Sequence, residues 1–152
     1  MTENIRQIQV SNHVMMQEIS RMFTLGKESV TITVRGYSMR PFLEDRRDKV
    51  VITPPETPQI DDVVLARIAQ KRYALHRVIK KEGESYIMQG DGNPLYMTER
   101  FTQADIIGMA RTFIRKGKPH KASDFTWRCY SFVWRTLKPF RRILLGIYRR
   151  LP

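Results

Sequence analysis

The chain has 152 residues, 41% hydrophobic and 28% charged, with a formal net charge of +12. These proportions exclude wholesale disorder, and a chain of this length buries roughly 70% of its unfolded surface without help from disulfides or metal. Cys129 is the only cysteine, which excludes an internal disulfide framework and a cysteine-based metal cluster.

A charge this high suggests a polyanionic partner, nucleic acid or an anionic membrane face. Its distribution narrows that choice. Residues 1–110 hold 15 Lys+Arg against 14 Asp+Glu, whereas residues 111–152 hold 12 Lys+Arg and one acid, Asp124. A nucleic-acid-binding domain more often carries its charge on the folded body, so nucleic acid is not the expected partner. No stretch approaches 18 consecutive apolar residues, so no transmembrane helix is expected. The opening Met-Thr-Glu-Asn-Ile-Arg lacks the apolar core of a signal peptide. A single thiol fits a reducing compartment, and the expected location is the cytoplasm.

The first segment, 1–28, is expected to hold one helix over residues 12–25. Asn12 can cap it, and Val14, Met15, Ile19, Met22, Phe23 and Leu25 give an apolar rhythm near 3.6 residues. Gly26 is a natural stop. From Val30 the pattern changes to alternation, with Val30, Ile32 and Val34 apolar and Thr31, Thr33 and Arg35 between them. Lys49–Thr53, Asp62–Ile68, Tyr73–Ile79 and Ser85–Gln89 are further strand candidates. Residues 105–115 give one more, interrupted at Gly108. Prolines 54, 55 and 58 stiffen one connection. The spacing predicts a mainly β domain over 29–118, folded back on itself as a barrel or sandwich.

After Pro119 a basic tail, 119–152, alternates large apolar groups with Arg and Lys. On a helix, Tyr130, Val133, Leu137, Phe140, Leu144, Ile147 and Leu151 share one face, opposite Arg128, Arg135, Lys138, Arg142 and Arg149. Pro139 kinks this helix or starts a second one. Opposed apolar and basic faces over 125–151 suit an anionic membrane interface at the inner face of the cytoplasmic membrane. Packing on the β body or on a partner protein is the other reading.

Four short blocks carry the chemistry. Gly36-Tyr37-Ser38-Met39-Arg40-Pro41-Phe42-Leu43 follows the first strand. Asp61-Asp62-Val63-Val64 opens a later one, His76-Arg77-Val78-Ile79 ends the next, and Gly90-Asp91-Gly92-Asn93 is a turn. Taken singly, Ser38 reads as a turn residue, His76 as a structural histidine and Asp91 as turn chemistry. In this order, together, they resemble the type I signal peptidase family, which shares its peptidase fold with the self-cleaving SOS-type repressors. The resemblance covers about Val30 to Ala110.

That resemblance implies a signal-peptidase-like β fold and a serine endopeptidase acting on a peptide or protein substrate with a leader sequence. It calls for no cofactor and no metal. Matched by position, Ser38 is the nucleophile. His76 stands where the common bacterial branch has its lysine base, so the sequence is similar to the histidine branch. A serine hydroxyl is weakly nucleophilic until a base takes its proton. A free imidazole titrates near 6.5 and accepts that proton without first being desolvated. Its other nitrogen must be held, usually by a carboxylate. The histidine branch places an aspartate beyond the Gly-Asp-Asn turn, and none stands there in Pro94-Leu95-Tyr96-Met97-Thr98-Glu99. Asp91 is favoured slightly as the residue holding the site together, with Glu99 as the alternative orienter and a bare Ser–His dyad also open.

The Ser38 backbone N–H is the expected oxyanion donor. Some relatives add a serine two residues earlier, where this chain has Gly36, a residue that permits unusual backbone angles and close substrate approach. Met39 and Pro41 shape either the binding groove or the turn itself. Arg77 is a scaffold residue expected to pair with Asp62 or Asp91. Signal peptidases carry an N-terminal membrane anchor; none is expected from the residues here, so a cytoplasmic leader peptide is the expected substrate. Two other readings stay open. One is a catalytically silent peptide-binding module. The other is a repressor-type, nucleic-acid-associated regulator, disfavoured because residues 1–28 are too short for a helix-turn-helix domain.

Overall fold

The computed structural model describes residues 12–152, with Asn12 given as backbone only. The capping expected of Asn12, and residues 1–11 of the N-terminal segment, therefore lie outside the described residues. Helix α1 spans Asn12–Thr24 and closes where the Gly26 N–H donates to the Phe23 carbonyl at 3.0 Å. Met16 and Ile19 are its buried residues, with Phe23 packed alongside, while Met15 and Leu25 of the expected apolar stripe are exposed. The helix rests on the sheet by one line of side chains three and four residues apart.

Eight strands follow: β1 Val30–Thr33, β2 Lys49–Thr53, β3 Val63–Ala69, β4 Arg72–Glu82, β5 Ser85–Gln89, β6 Glu99–Thr102, β7 Ile106–Arg115 and β8 Lys118–Lys121. All pair antiparallel in one sheet of order β1-β2-β7-β3-β4-β5-β6, with β8 on β7. The mainly β expectation holds, with helices at both ends of the chain. Gly108 does not interrupt β7: it pairs with Leu65 inside a continuous strand.

Strand β3 explains why its sequence reads as a nearly unbroken apolar run. Val63 and Leu65 enter one core cluster with Met39, Phe42, Val50 and Phe113, and Val64 and Ala66 enter a second with Val78, Met88, Phe101 and Met109. Successive side chains point to opposite faces, so a strand covered on both sides needs apolar groups at every position.

The basic tail forms two helices. Helix α2 spans Phe125–Thr136 and α3 spans Arg141–Tyr148, separated by a 3-10 turn over Lys138–Phe140 that holds Pro139. Trp127, Ser131, Trp134, Arg141 and Leu145 are buried, whereas Val133, Phe140, Ile147 and Leu151 are exposed. The inward face thus lies about a third of a turn from the predicted apolar face, because Trp127, Trp134 and Leu145 find the body. Trp127 stacks on Phe113 with ring centroids 4.1 Å apart and completes the first cluster. Truncating a buried Trp costs about 3–5 kcal/mol. Trp127→Ala is expected to lower unfolding stability by that amount in a urea titration. A loss under about 1 kcal/mol would show that α2 is no part of the core.

Candidate active site

The loop after β1 carries Ser38. Gly36 adopts φ +87°, a left-handed conformation that favours glycine, and its N–H donates to Asp45 Oδ1 at 2.7 Å. Beyond Ser38 the chain coils once, with the Phe42 and Leu43 N–H groups both donating to the Met39 carbonyl. Asp48 anchors the loop's far end. It is fully buried and accepts the Glu44 N–H at 2.8 Å, the Lys116 N–H at 3.2 Å and the Arg47 guanidinium. Burial works against its charge, but Arg47 and the two amides hold the carboxyl below the usual carboxylate range.

Strand β4 brings up His76. Its Nε2 lies 2.9 Å from Ser38 Oγ and its Nδ1 lies 2.9 Å from Glu99 Oε2, at the start of β6. The imidazole is 6% exposed, so these two contacts account for both ring nitrogens. With Nδ1–H donating to the carboxylate, Nε2 is left to accept the Ser38 hydroxyl proton. Glu99, the alternative orienter, is the carboxylate that meets the imidazole, whereas both Asp91 oxygens are met by Arg77.

Asp91 acts on the opposite face of β4. Adjacent strand residues point opposite ways, so Arg77 faces away from His76. Its Nε and Nη2 donate to the two Asp91 oxygens at 2.9 and 2.8 Å, and its Nη1 donates to Ser131 Oγ at 2.7 Å and to the Asp61 carbonyl at 3.1 Å. Arg77 is 3% exposed and Asp91 1%. Burial opposes the guanidinium charge, but Asp91 outweighs it and holds Arg77 above its ordinary value. The pairing expected of Asp62 is corrected here: its carboxylate accepts the Gln59 N–H at 2.9 Å and faces Arg111 at 3.5 Å. Asp62 stands just before β3, half-buried, with its carboxylate turned to Gln59 and Arg111.

The turn held by Asp91 lies flush against the Ser38 loop. Gly92 N–H donates to the Ser38 carbonyl at 2.8 Å. A Cβ on Gly90 would stand 2.4 Å from that same carbonyl and 3.0 Å from His76 Nε2. Only glycine allows this approach.

Beside the three polar groups runs a groove of about 360 Å³ whose apolar lining includes Met16, Ile32, Val34, Met39 and Leu75. Pro41 does not line it. Pro41 instead shapes the coil beyond Ser38, where the Arg40–Pro41 bond is cis.

A family model described as Peptidase S24-like matches residues 2–111. The chain belongs to the Peptidase S24-like family. This fits the peptidase fold that the four blocks resemble. No curated protein matches the chain. The Peptidase S24-like match spans Ser38, His76, Asp91 and Glu99 and ends before β8, α2 and α3. Helices outside the matched Peptidase S24-like region nevertheless reach its interior. Trp134 Nε1 donates to the Asp91 carbonyl at 3.1 Å, and Arg141 donates to Gln89 Oε1 at 2.8 Å. Gln89, Ser131 and Trp134 were not singled out in the sequence. The signal was the i, i+4, i+7 spacing of Trp127, Ser131 and Trp134, which marks a helix face of its own.

The two carboxylates should separate by substitution. Asp91→Ala leaves Arg77 buried without its partner and is expected to cost about 3–5 kcal/mol in urea unfolding. Glu99→Gln, at a partly exposed pair, is expected to change stability by less than about 1 kcal/mol. Equal losses would assign both residues the same structural role.

Proposed function

We propose that this Peptidase S24-like chain is a serine endopeptidase that cleaves a leader-type peptide, with Ser38 as nucleophile, His76 as general base and Glu99 as the residue orienting the imidazole. The observation that carries this reading is the continuous hydrogen-bonded chain from Ser38 through His76 to Glu99 beside an apolar groove. Histidine here takes the place of the lysine base. The groove suits the apolar residues of a leader peptide.

In the first half-reaction Ser38 Oγ bonds to the scissile carbonyl carbon as its proton passes to His76 Nε2. Glu99 stabilises the imidazolium so formed. The Ser38 N–H, which donates to no acceptor among the described residues, meets the oxyanion. The C–N bond then breaks, His76 returns the proton to the leaving amine, and an acyl ester remains on Ser38. In the second half-reaction a water gives its proton to His76 as its oxygen bonds to the ester carbon; the bond to Ser38 Oγ then breaks, His76 returns the proton to Oγ, and the carboxyl product leaves. A serine-reactive acylating probe tests the assignment. The wild type is expected to label at Ser38, Ser38→Ala and His76→Ala to lose labelling, and Glu99→Gln to label roughly a hundredfold more slowly. An unlabelled wild type would favour a peptide-binding module.

We also propose that the outer surface of α2 and α3 seats the enzyme on an anionic membrane, at the inner face of the cytoplasmic membrane. Phe132, Val133, Phe140, Ile143, Ile147 and Leu151 are exposed there, and Arg128, Arg142, Arg149 and Arg150 are exposed on the same helices and just beyond them. Each cation near an anionic leaflet adds about 1 kcal/mol. Among the described residues no helix is long and apolar enough to cross a membrane, so the contact would be peripheral. Because α2 belongs to the core, the test uses surface substitutions and not truncation. Ile143→Ser with Ile147→Ser is expected to reduce co-sedimentation with phosphatidylglycerol vesicles several-fold, and unchanged partitioning would overturn the proposal.

A further inference from the structure

A second cleft, of about 780 Å³, lies between the Gly92–Tyr96 turn and helix α3. Lys138, Arg141, Arg142 and Arg149 line it, and no acidic residue does. Arg141 is the informative member. It is 5% exposed, yet its hydrogen-bond partner is the neutral Gln89 amide oxygen, and its Nε is buried without a partner. The nearby Asp91 has both oxygens committed to Arg77. A buried guanidinium without its own carboxylate is an unfavourable arrangement unless an anion completes it. Lys138 shows the same imbalance: burial, then Arg141, then Arg135 pull its ammonium below the ordinary value.

The position of the cleft says which anion. Asn93 lines both this cleft and the groove beside Ser38 and His76. An extended chain leaving the groove beside Ser38 past Asn93 would enter the space between the turn and α3. We infer that the cleft is an extended subsite for acidic side chains of the peptide substrate, on one side of the bond placed at Ser38. This rests on the peptidase reading above and adds a substrate class to it: leader peptides with an acidic segment flanking an apolar one. Carboxylates entering the cleft would form charge-assisted bonds with Arg141 and its neighbours.

The test uses the full chain carrying Ser38→Ala, so binding is read without turnover. Two fluorescein-labelled twelve-residue peptides share an apolar half, and one carries a Glu-Asp-Glu run where the other carries Gln-Asn-Gln. The acidic peptide is expected to bind about tenfold more tightly by fluorescence anisotropy. Arg142→Gln with Arg149→Gln should abolish the preference, and Arg128→Gln with Arg150→Gln, outside the cleft, should retain it. Equal binding of the two peptides would overturn the inference. So would equal loss in both double variants, which would mean diffuse attraction to a basic protein. If the cleft variants lose phosphatidylglycerol vesicle binding but keep the peptide preference, the cleft is a lipid-headgroup site and the inference also falls. Probe labelling at Ser38 is independent of all these outcomes, so the peptidase reading can stand or fall separately.

Discussion

The buried pair between Arg77 and Asp91 is the contact on which the arrangement of the site depends. A guanidinium and a carboxylate removed from water are stable only when their remaining hydrogen-bonding groups are met. Arg77 meets that condition by reaching three separate pieces of chain: the Gly90–Asn93 turn, Asp61 before β3, and Ser131 on α2. The Asp91 carbonyl adds a second contact with α2 by accepting the Trp134 indole N–H. One ion pair therefore fixes the position of a turn, a strand entry and a helix. Because the turn is bonded to the Ser38 carbonyl, the same pair sets Ser38 against His76 on the other face of β4. Rigidity is created on one side of the sheet and used on the other.

The chemistry needs that division. Ser38 sits on a loop and Glu99 at a strand end, and neither element would hold a side chain to hydrogen-bonding distance unaided. His76 alone stands in the middle of a long strand, paired to Val64 on its neighbour. It is the fixed point to which the other two are brought. The Asp48 anchor restrains the serine loop from behind, and the glycine turn restrains it from the side. Under the proposed reaction, Ser38 and His76 held by separate elements in this way would need little reorganisation at the moment of attack.

Much of this was legible in the residues, for local reasons. Strands β2 and β5 fall on their predicted bounds because each alternates or is uniformly apolar between clear breakers. Strands β6 and β8 escaped because Glu-Arg-Phe-Thr offers one buried apolar residue and Lys-Pro-His-Lys offers none; their pairing comes from neighbours and not from their own pattern. Ser38 and His76 were readable because a motif places them. The choice between Asp91 and Glu99 was not, since it turns on which face of β4 each approaches, a property of the folded sheet. The inward face of the tail was obscured by Arg141, a charge at a buried position, which no apolar pattern anticipates.

The clamp formed by α2 also has a meaning in time. Ribosomes make chains from the N-terminus, so Ser38, His76 and Glu99 are all synthesised, and leave the ribosome, ahead of Ser131 and Trp134. Until those two residues arrive, Arg77 and Asp91 lack part of their hydrogen bonding and the turn beside Ser38 lacks its outer support. The β body can begin to pair while the site stays unfinished. Completion of the surroundings of Ser38 is thus tied to synthesis of the tail, which makes α2 the last part of the candidate site to be delivered.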